Sequence, residues 1–259
     1  MYEVQKAPLP VAGVLDRGFS LYKAALPKTF VIALVVAAIW APMSALFTKS
    51  AVLGSAPALP LPLPVLVLAV LIIEFCGWGA IIACIDAAAR GENLAFGPAL
   101  KLGLRRGAVL FAAVILVSLA IGVGYLLLIV PGVYLTIMLI FTMIAAVAER
   151  TGPVESLKYS WRLVRGHWWR TAGVTGVVTI IGGVLYALIA IIGGAGAVVN
   201  PQGVLARGGL PWYVQYLVVP VFEGLVVPFV YSMLVALYYD LKLRREGSDI
   251  AARITAVQA

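Results

Sequence analysis

Six long apolar stretches alternate with short polar or basic segments along the chain. Most of them are long enough to cross a hydrocarbon core as helices, which takes about 20 residues; the fourth is shorter. The pattern therefore predicts an all-α integral membrane protein with six transmembrane helices. The stretches cover residues 26–47, 61–89, 107–130, 133–148, 169–199 and 212–239. Pro131 and Gly132 predict a tight turn between the third and the fourth.

The most distinctive polar segment is PVESLKYSWRLVRGHWWR, residues 153–170. Apolar residues recur there at spacings of 3 and 4 beside a cationic face, the pattern of an amphipathic helix at the headgroup level. Pro153 suits the first helical position, and Gly166 suits a left-handed helix end. The predicted contacts with lipid or a partner are Lys158, Trp161, Arg162, Arg165, Trp168, Trp169 and Arg170.

Weaker copies of this segment occupy residues 11–25 and 95–107. Each of the three copies precedes two apolar stretches, which predicts three hairpin units, each opened by a cytoplasmic interfacial helix. The units are 11–90, 95–150 and 153–240, in one membrane domain of residues 1–240 followed by a solvated tail, 241–259. The second stretch of each unit ends on an acid, which we expect to pair with interfacial basic residues. These acids are Asp86, Glu149 and Asp240.

The composition supports a membrane protein, with 63% hydrophobic and 12% charged residues. The net charge of +8 does not indicate nucleic acid binding, because no solvated basic domain carries it. Segments 1–28, 90–106, 149–170 and 240–259 hold 17 of the 19 Lys and Arg residues. By the positive-inside rule, these segments and both termini are cytoplasmic. We therefore expect a multi-pass protein of the bacterial inner membrane.

No motif for catalysis, a cofactor or a metal stands out. His167 is the single histidine, and it lies between a glycine and interfacial tryptophans. Cys76 and Cys84 are about 12 Å apart on one helix and cannot pair with each other. The sequence therefore predicts no metal, no cofactor and a protein that is not an enzyme.

Two ionisable residues lie inside apolar stretches. Glu74 and Glu223 each follow a proline by 12 residues, which predicts similar depths in equivalent spans. A carboxyl group inside a membrane helix can mark a proton, ion or substrate site. The alternative is a protonated group that hydrogen-bonds between helices. Candidate partners for that bond are Ser118, Thr136, Thr142, Thr175 and Ser232.

The strings SLKYSWRLVRGHWWR, PGVYL, AERTGPVE and YYDLKLRREGSDI give the chain a family resemblance. It resembles bacterial six-span proteins grouped with the membrane domain of glycerophosphoryl diester phosphodiesterases. Some of those relatives carry a soluble phosphodiesterase barrel, which this chain lacks. The resemblance implies architecture and no active-site residue.

Three functions follow from these observations. The first is a non-enzymatic scaffold, assembly or lipid-interacting factor that engages anionic headgroups or a protein partner through a cytoplasmic basic belt. The second is a proton-coupled transporter or channel that uses Glu74 and Glu223. The third, an enzyme acting on phospholipid or glycerophosphodiester, rests on the resemblance alone. Small residues spaced four apart in the fifth span allow either internal packing or a homo-oligomer.

Overall fold

The computed structural model describes residues 8–53, 63–193 and 218–258. Within these ranges the protein is all-helical and has no strand. The helices are α1 (Val11–Leu53), α2 (Leu63–Ala89), α3 (Phe96–Leu127), α4 (Ile129–Met138), α5 (Thr142–Ala148), α6 (Pro153–Val164), α7 (Trp168–Gly193) and α8 (Val219–Gln258).

Five stretches of the described residues are long and apolar enough to cross a bilayer, so the chain is a multi-pass membrane protein. They are Val11–Ile39, Val65–Ala89, Phe96–Leu127, Ile129–Ala148 and Pro220–Arg245. The predicted span at 169–199 coincides with α7 as far as Gly193 but is not among the five. Its last residues, and the beginning of the sixth predicted span, lie outside the described residues.

The interfacial segments differ from the prediction. Only α6 is a separate helix, because Gly166 adopts a left-handed φ of 90° and ends it. Segments 11–25 and 95–107 instead run without a break into the apolar parts of α1 and α3. Neither contains a residue with positive φ that would stop the helix. The prediction of three separate interfacial helices is therefore wrong for the first two.

The second hairpin turns at Leu128, which is extended with φ −165° and ψ 157°, and not at Pro131 and Gly132. Pro131 lies in the first turn of α4, where its missing N–H would have no helical acceptor in any case. The fourth apolar stretch is then broken between α4 and α5. Ser160 of α6 bridges this break, since its Oγ accepts from Phe141 N and donates to Met138 O.

The side of α6 that is buried also differs from the predicted apolar stripe. Ser156 and Ser160 are fully buried together with Leu163 and Val164, whereas Val154 is exposed. Small hydroxyl side chains let α6 approach α5 closely. The predicted tail, 241–259, continues α8 as far as Gln258.

The core lies near the boundary acids Asp86, Glu149 and Asp240. Its fully buried side chains come mainly from the C-terminal half of α2 and the middle of α8, with α1 antiparallel to α8. Gly103 brings α3 against the backbone of Cys76 and Ala80 in α2. Farther along the same helices, apolar side chains are exposed; examples are Val35, Leu68, Ile72, Leu119 and Ile180.

Candidate functional site

Polar contacts join the four basic segments at one end of the helical assembly. Asp240 pairs with Arg170, and Lys242 pairs with Glu149, so segment 240–245 meets segment 149–170. Arg106 donates to the carbonyl oxygens of Arg150 and Thr151 at 2.8 and 3.1 Å. Further bonds run from Lys28 to Asn93 and Leu94, and from Tyr239 to Asp86. These contacts link the four basic segments, and we call the region that they form the charged end. Along α1 it extends from Leu9 to Lys28, 19 residues or about 28 Å.

Asp240 is the centre of the most buried polar cluster at this end. Its carboxylate is fully buried and accepts from Leu9 N at 2.7 Å, Arg170 Nη2 at 2.8 Å and Arg244 Nε at 2.9 Å. Both guanidinium groups also donate to the carbonyl oxygen of Leu9, at 2.6 and 2.7 Å. This cluster therefore fastens the beginning of α1 to α7 and α8.

Glu149 accepts hydrogen bonds from Lys242 Nζ at 2.7 Å, Tyr238 Oη at 2.6 Å and Tyr159 Oη at 3.3 Å. Burial alone would raise the pKa of Glu149, but these bonds favour the carboxylate and bring its pKa below the usual value. Its basic partner is thus Lys242, distant in sequence, although Arg150 is adjacent. The third acid, Asp86, accepts from Tyr239 Oη at 2.7 Å and pairs with Arg90 at 3.0 Å.

The outward side of the α6–α7 junction carries an exposed group of cations with one tryptophan. We call Lys158, Arg162, Arg165 and Trp169 the basic face. Trp169 is 84% exposed, unusual for so large an apolar side chain. Arg162 lies 3.2 Å from Glu155, but both side chains are more than half exposed. Such a pair is weak and leaves the guanidinium able to meet a phosphate.

The other predicted contact residues are partly buried. Trp161 and Trp168 both pack on the ring of Tyr134 in α4, at centroid distances of 6.0 and 5.9 Å. Arg170 belongs to the Asp240 cluster. The structure thus divides the predicted set into an exposed part, which is the basic face, and a part that holds helices together.

His167 is half-buried between α6 and α7. Burial, and then the positive charges of Arg244 and Arg170, lower its pKa below the usual value. This histidine therefore stays neutral beside the Asp240 cluster at neutral pH.

Glu74 of α2 and Glu223 of α8 line one cavity of about 130 Å³. The remaining walls are apolar and come partly from α1; they include Ala33, Val36, Ala37, Trp78, Ile81 and Val227. Two hydroxyls that were candidate partners, those of Thr136 and Thr142, donate to the carbonyl oxygens of Gly132 and Leu139 in their own segment. Glu74 and Glu223, from different helices, therefore line the same cavity.

The depth of this cavity follows from the two helices that carry the carboxyl groups. In α2, Glu74 precedes the boundary acid Asp86 by 12 residues, or about 18 Å of helix rise. In α8, Glu223 precedes Asp240 by 17 residues, or about 25 Å. Both carboxyl groups therefore lie well inside the apolar parts of these helices.

Tyr238 and Tyr239 were not predicted as part of the site, although each binds one boundary acid. The string YYD at the end of an apolar stretch was the available signal. Leu9 was missed because it contributes only its backbone.

Comparison with known proteins points to a family without an assigned activity. A sequence profile described as a domain of unknown function, DUF7847, matches residues 82–241. A UPF0259 membrane protein from Photorhabdus laumondii subsp. laumondii is 31% identical over 85 residues, which is 33% of this chain and 33% of that protein. The alignment thus spans a third of the length of that relative. No solved structure matches the chain.

Proposed function

We propose that this chain, which belongs to the family defined by the domain of unknown function DUF7847, is a non-enzymatic lipid-interacting protein of the bacterial inner membrane. In this proposal both termini lie in the cytoplasm, and the basic face binds anionic headgroups. Such a protein would act as a scaffold or assembly factor. The resemblance to the membrane domain of glycerophosphoryl diester phosphodiesterases would give it a related architecture.

The observation that carries the proposal is the exposure of the basic face beside the buried Asp240 cluster. The cations that hold the fold together, Arg170 and Arg244, are bonded inside the protein. Lys158, Arg162 and Arg165 are exposed, and so is Trp169. Guanidinium groups bind phosphate oxygens in pairs, and tryptophan prefers the headgroup level. The exposed set therefore matches an anionic lipid surface.

The expected affinity follows from charge. Each Lys or Arg near an anionic membrane surface contributes about 1 kcal/mol, so losing two cations removes about 2 kcal/mol. That corresponds to an approximately 30-fold weaker affinity. The effect should fall as salt rises, because exposed charges are screened beyond about 10 Å at 0.1 M salt.

The test compares two double variants. The first carries Arg162→Gln and Arg165→Gln, and the control carries Lys101→Gln and Arg105→Gln. The control removes the same charge from exposed positions in the sister segment of α3. Purified proteins in neutral detergent are titrated with fluorescent phosphatidylglycerol or phosphatidylcholine at low salt. We expect the first variant to lose phosphatidylglycerol affinity and the control to keep most of it. Equal affinity of the first variant and the wild type would refute the proposal.

A second candidate function is proton-coupled transport or conduction through the cavity shared by Glu74 and Glu223. The observation that favours it is that two carboxyl groups from different helices face one space with apolar walls. Glu74→Gln and Glu223→Gln preserve the shape of each side chain and remove its charge. If both variants keep the wild-type proton flux in liposomes, this function is excluded.

A further inference from the structure

The α3–α4 hairpin ends in an arm that leaves the helical bundle. Residues 114–134 include only two buried positions, Gly124 and Gly132. These glycines face each other, since a Cβ added to Gly124 would lie 3.0 Å from Cα of Gly132. The first half of α3 packs on α2 through Gly103, Gly107 and Phe111. In the arm beyond it, α3 and α4 pack mainly on each other, and Tyr134 at its base also packs on Trp161 and Trp168.

The apex of the arm is apolar and very exposed. Its five residues are between 68% and 87% exposed: Leu126, Leu127, Leu128, Ile129 and Val130. The sequence contains no charged residue between Arg106 and Glu149. A continuous apolar surface of this kind is unfavourable in water and marks a site of contact with lipid or protein.

The apex is also close to the charged end. Tyr134 follows Leu128 by six residues, or about 9 Å of helix rise. Its carbonyl oxygen lies 3.4 Å from Nε1 of Trp168, and its ring stacks on the same tryptophan. Trp168 is two residues from Arg170, which is bonded to Asp240. By this route Leu128 lies within roughly 20 Å of the Asp240 cluster, which is less than the hydrocarbon thickness of about 30 Å. Because α3 carries Leu127 21 residues, or about 32 Å, beyond Arg106, this closeness requires that α3 run at a steep angle to the membrane normal.

We propose that the arm is a re-entrant hairpin whose apex inserts among the acyl chains of the leaflet next to the charged end. The apex then does not reach the opposite surface, where the positive-inside pattern placed the loop at Pro131 and Gly132. The occupant is lipid hydrocarbon, because the apex is uniformly apolar and the aromatic and basic residues of the membrane surface stand beside it. The inference does not depend on whether the basic face selects anionic lipids.

The turn is suited to this environment. It uses a single non-helical residue, Leu128, whose N–H donates to Gly124 O at 3.1 Å and whose carbonyl oxygen accepts from Gly132 N at 3.3 Å. Pro131 contributes no N–H to the first turn of α4. Both backbone groups of the one extended residue are therefore paired, which favours this turn in a hydrocarbon environment.

The experiment uses Leu128→Cys, with Leu104→Cys as the matched control. Leu104 lies in α3, and Leu128 directly follows the end of α3. The two side chains are equally exposed, 68% for Leu128 and 69% for Leu104, but Leu104 is next to Arg105 at the charged end. The native cysteines, Cys76 and Cys84, are buried. Each variant is reacted with an impermeant maleimide in right-side-out and inside-out vesicles, and labelling is expressed relative to protein denatured in detergent.

We expect Leu104→Cys to react from one side and Leu128→Cys from neither. A nitrobenzoxadiazole group attached at position 128 in proteoliposomes should be quenched by lipids spin-labelled along the acyl chain. Leu127→Cys, 69% exposed, repeats the measurement should the first variant be poorly expressed.

Three outcomes would overturn the inference. Labelling of position 128 from the side opposite to position 104 would show a conventional crossing. Labelling from the same side as position 104 would place the apex in water. Absence of both labelling and lipid quenching, together with a disulfide-linked dimer, would show that a second copy covers the apex.

Discussion

Removing the charge of Asp240 should destabilise the protein more than the same change at either other boundary acid. Asp240→Asn keeps the shape of the side chain and leaves two guanidinium groups without their counter-charge. Breaking a buried ion pair on one side costs about 3–5 kcal/mol. Arg170 and Arg244 are 19% and 29% exposed, so water compensates part of the loss. We expect a cost of about 3 kcal/mol, near the lower limit.

The matched control is Asp86→Asn. Asp86 is also buried, but its basic partner Arg90 is 42% exposed, and Tyr239 can still donate to the amide oxygen. Its expected cost is about 1 kcal/mol, in the range of one hydrogen bond. Thermal unfolding followed by tryptophan fluorescence in a mild detergent measures both variants. A difference of about 2 kcal/mol corresponds to an unfolding temperature lower by roughly 4–8 °C in Asp240→Asn.

The Asp240 cluster also holds Leu9, so limited proteolysis gives an independent reading. In Asp240→Asn, the backbone before α1 loses the carboxylate that accepts from Leu9 N. Cleavage near residue 9 should therefore be faster than in the wild type and in Asp86→Asn. Equal unfolding temperatures and equal cleavage rates in the two variants would refute the idea that this cluster fastens the end of α1.

Three further predictions concern packing and pH. Gly103→Ala should cost about 1–3 kcal/mol, because its Cβ would collide with the backbone of α2, whereas Gly97→Ala meets no atom and should be neutral or stabilising; thermal unfolding compares them. His167 has a lowered pKa in the folded protein, so its contribution to stability is present above the ordinary pKa of about 6.5 and is lost as pH falls through the folded value. His167→Gln should therefore reduce the loss of unfolding temperature between about pH 7 and pH 5, and an unchanged profile would contradict this. Glu149 also has a lowered pKa, so its contribution persists above about pH 4.5 and disappears below it, and Glu149→Gln should flatten the profile only in that acidic range.

The sequence predicted the local features that depend on neighbouring residues. Pro153 begins α6 and Gly166 ends the segment with positive φ, both as expected from their backbone preferences. The prediction of helix ends from the sequence failed where a similar residue pattern lies in a different tertiary environment. Gly107 occupies a place in its segment like that of Gly166, but it packs against Cys76 and remains helical. In this chain the glycine that packs against a neighbouring helix stays helical, and the glycine that meets no such contact follows the end of its helix.

The partners of the boundary acids show a second limit. Glu149 lies next to Arg150 in sequence but pairs with Lys242, and Asp240 pairs with Arg170 as well as with the nearby Arg244. Arg150 has a positive φ of 54° and gives its carbonyl oxygen to Arg106 instead. Such partners depend on how helices far apart in the chain meet, which residue spacing alone does not determine.

The second hairpin shows a third limit. Apolar length and the dipeptide Pro131-Gly132 predicted two spans joined by a tight turn. The contacts of Tyr134 with Trp161 and Trp168 are long-range and connect the arm to the α6–α7 junction. No hydropathy pattern contains that information, because an apolar helix that crosses a bilayer and one that re-enters it have the same composition.

The most direct test of the central claim is to map where anionic lipid touches the protein. Wild-type protein is reconstituted with phosphatidylglycerol carrying a photoreactive group near the headgroup, irradiated at low salt, digested and analysed by mass spectrometry. We expect cross-links to concentrate in the peptides that contain Lys158, Arg162, Arg165 and Trp169, and excess unlabelled phosphatidylglycerol should remove them. Cross-links of equal density at Lys101 and Arg105, or none at the basic face, would contradict it.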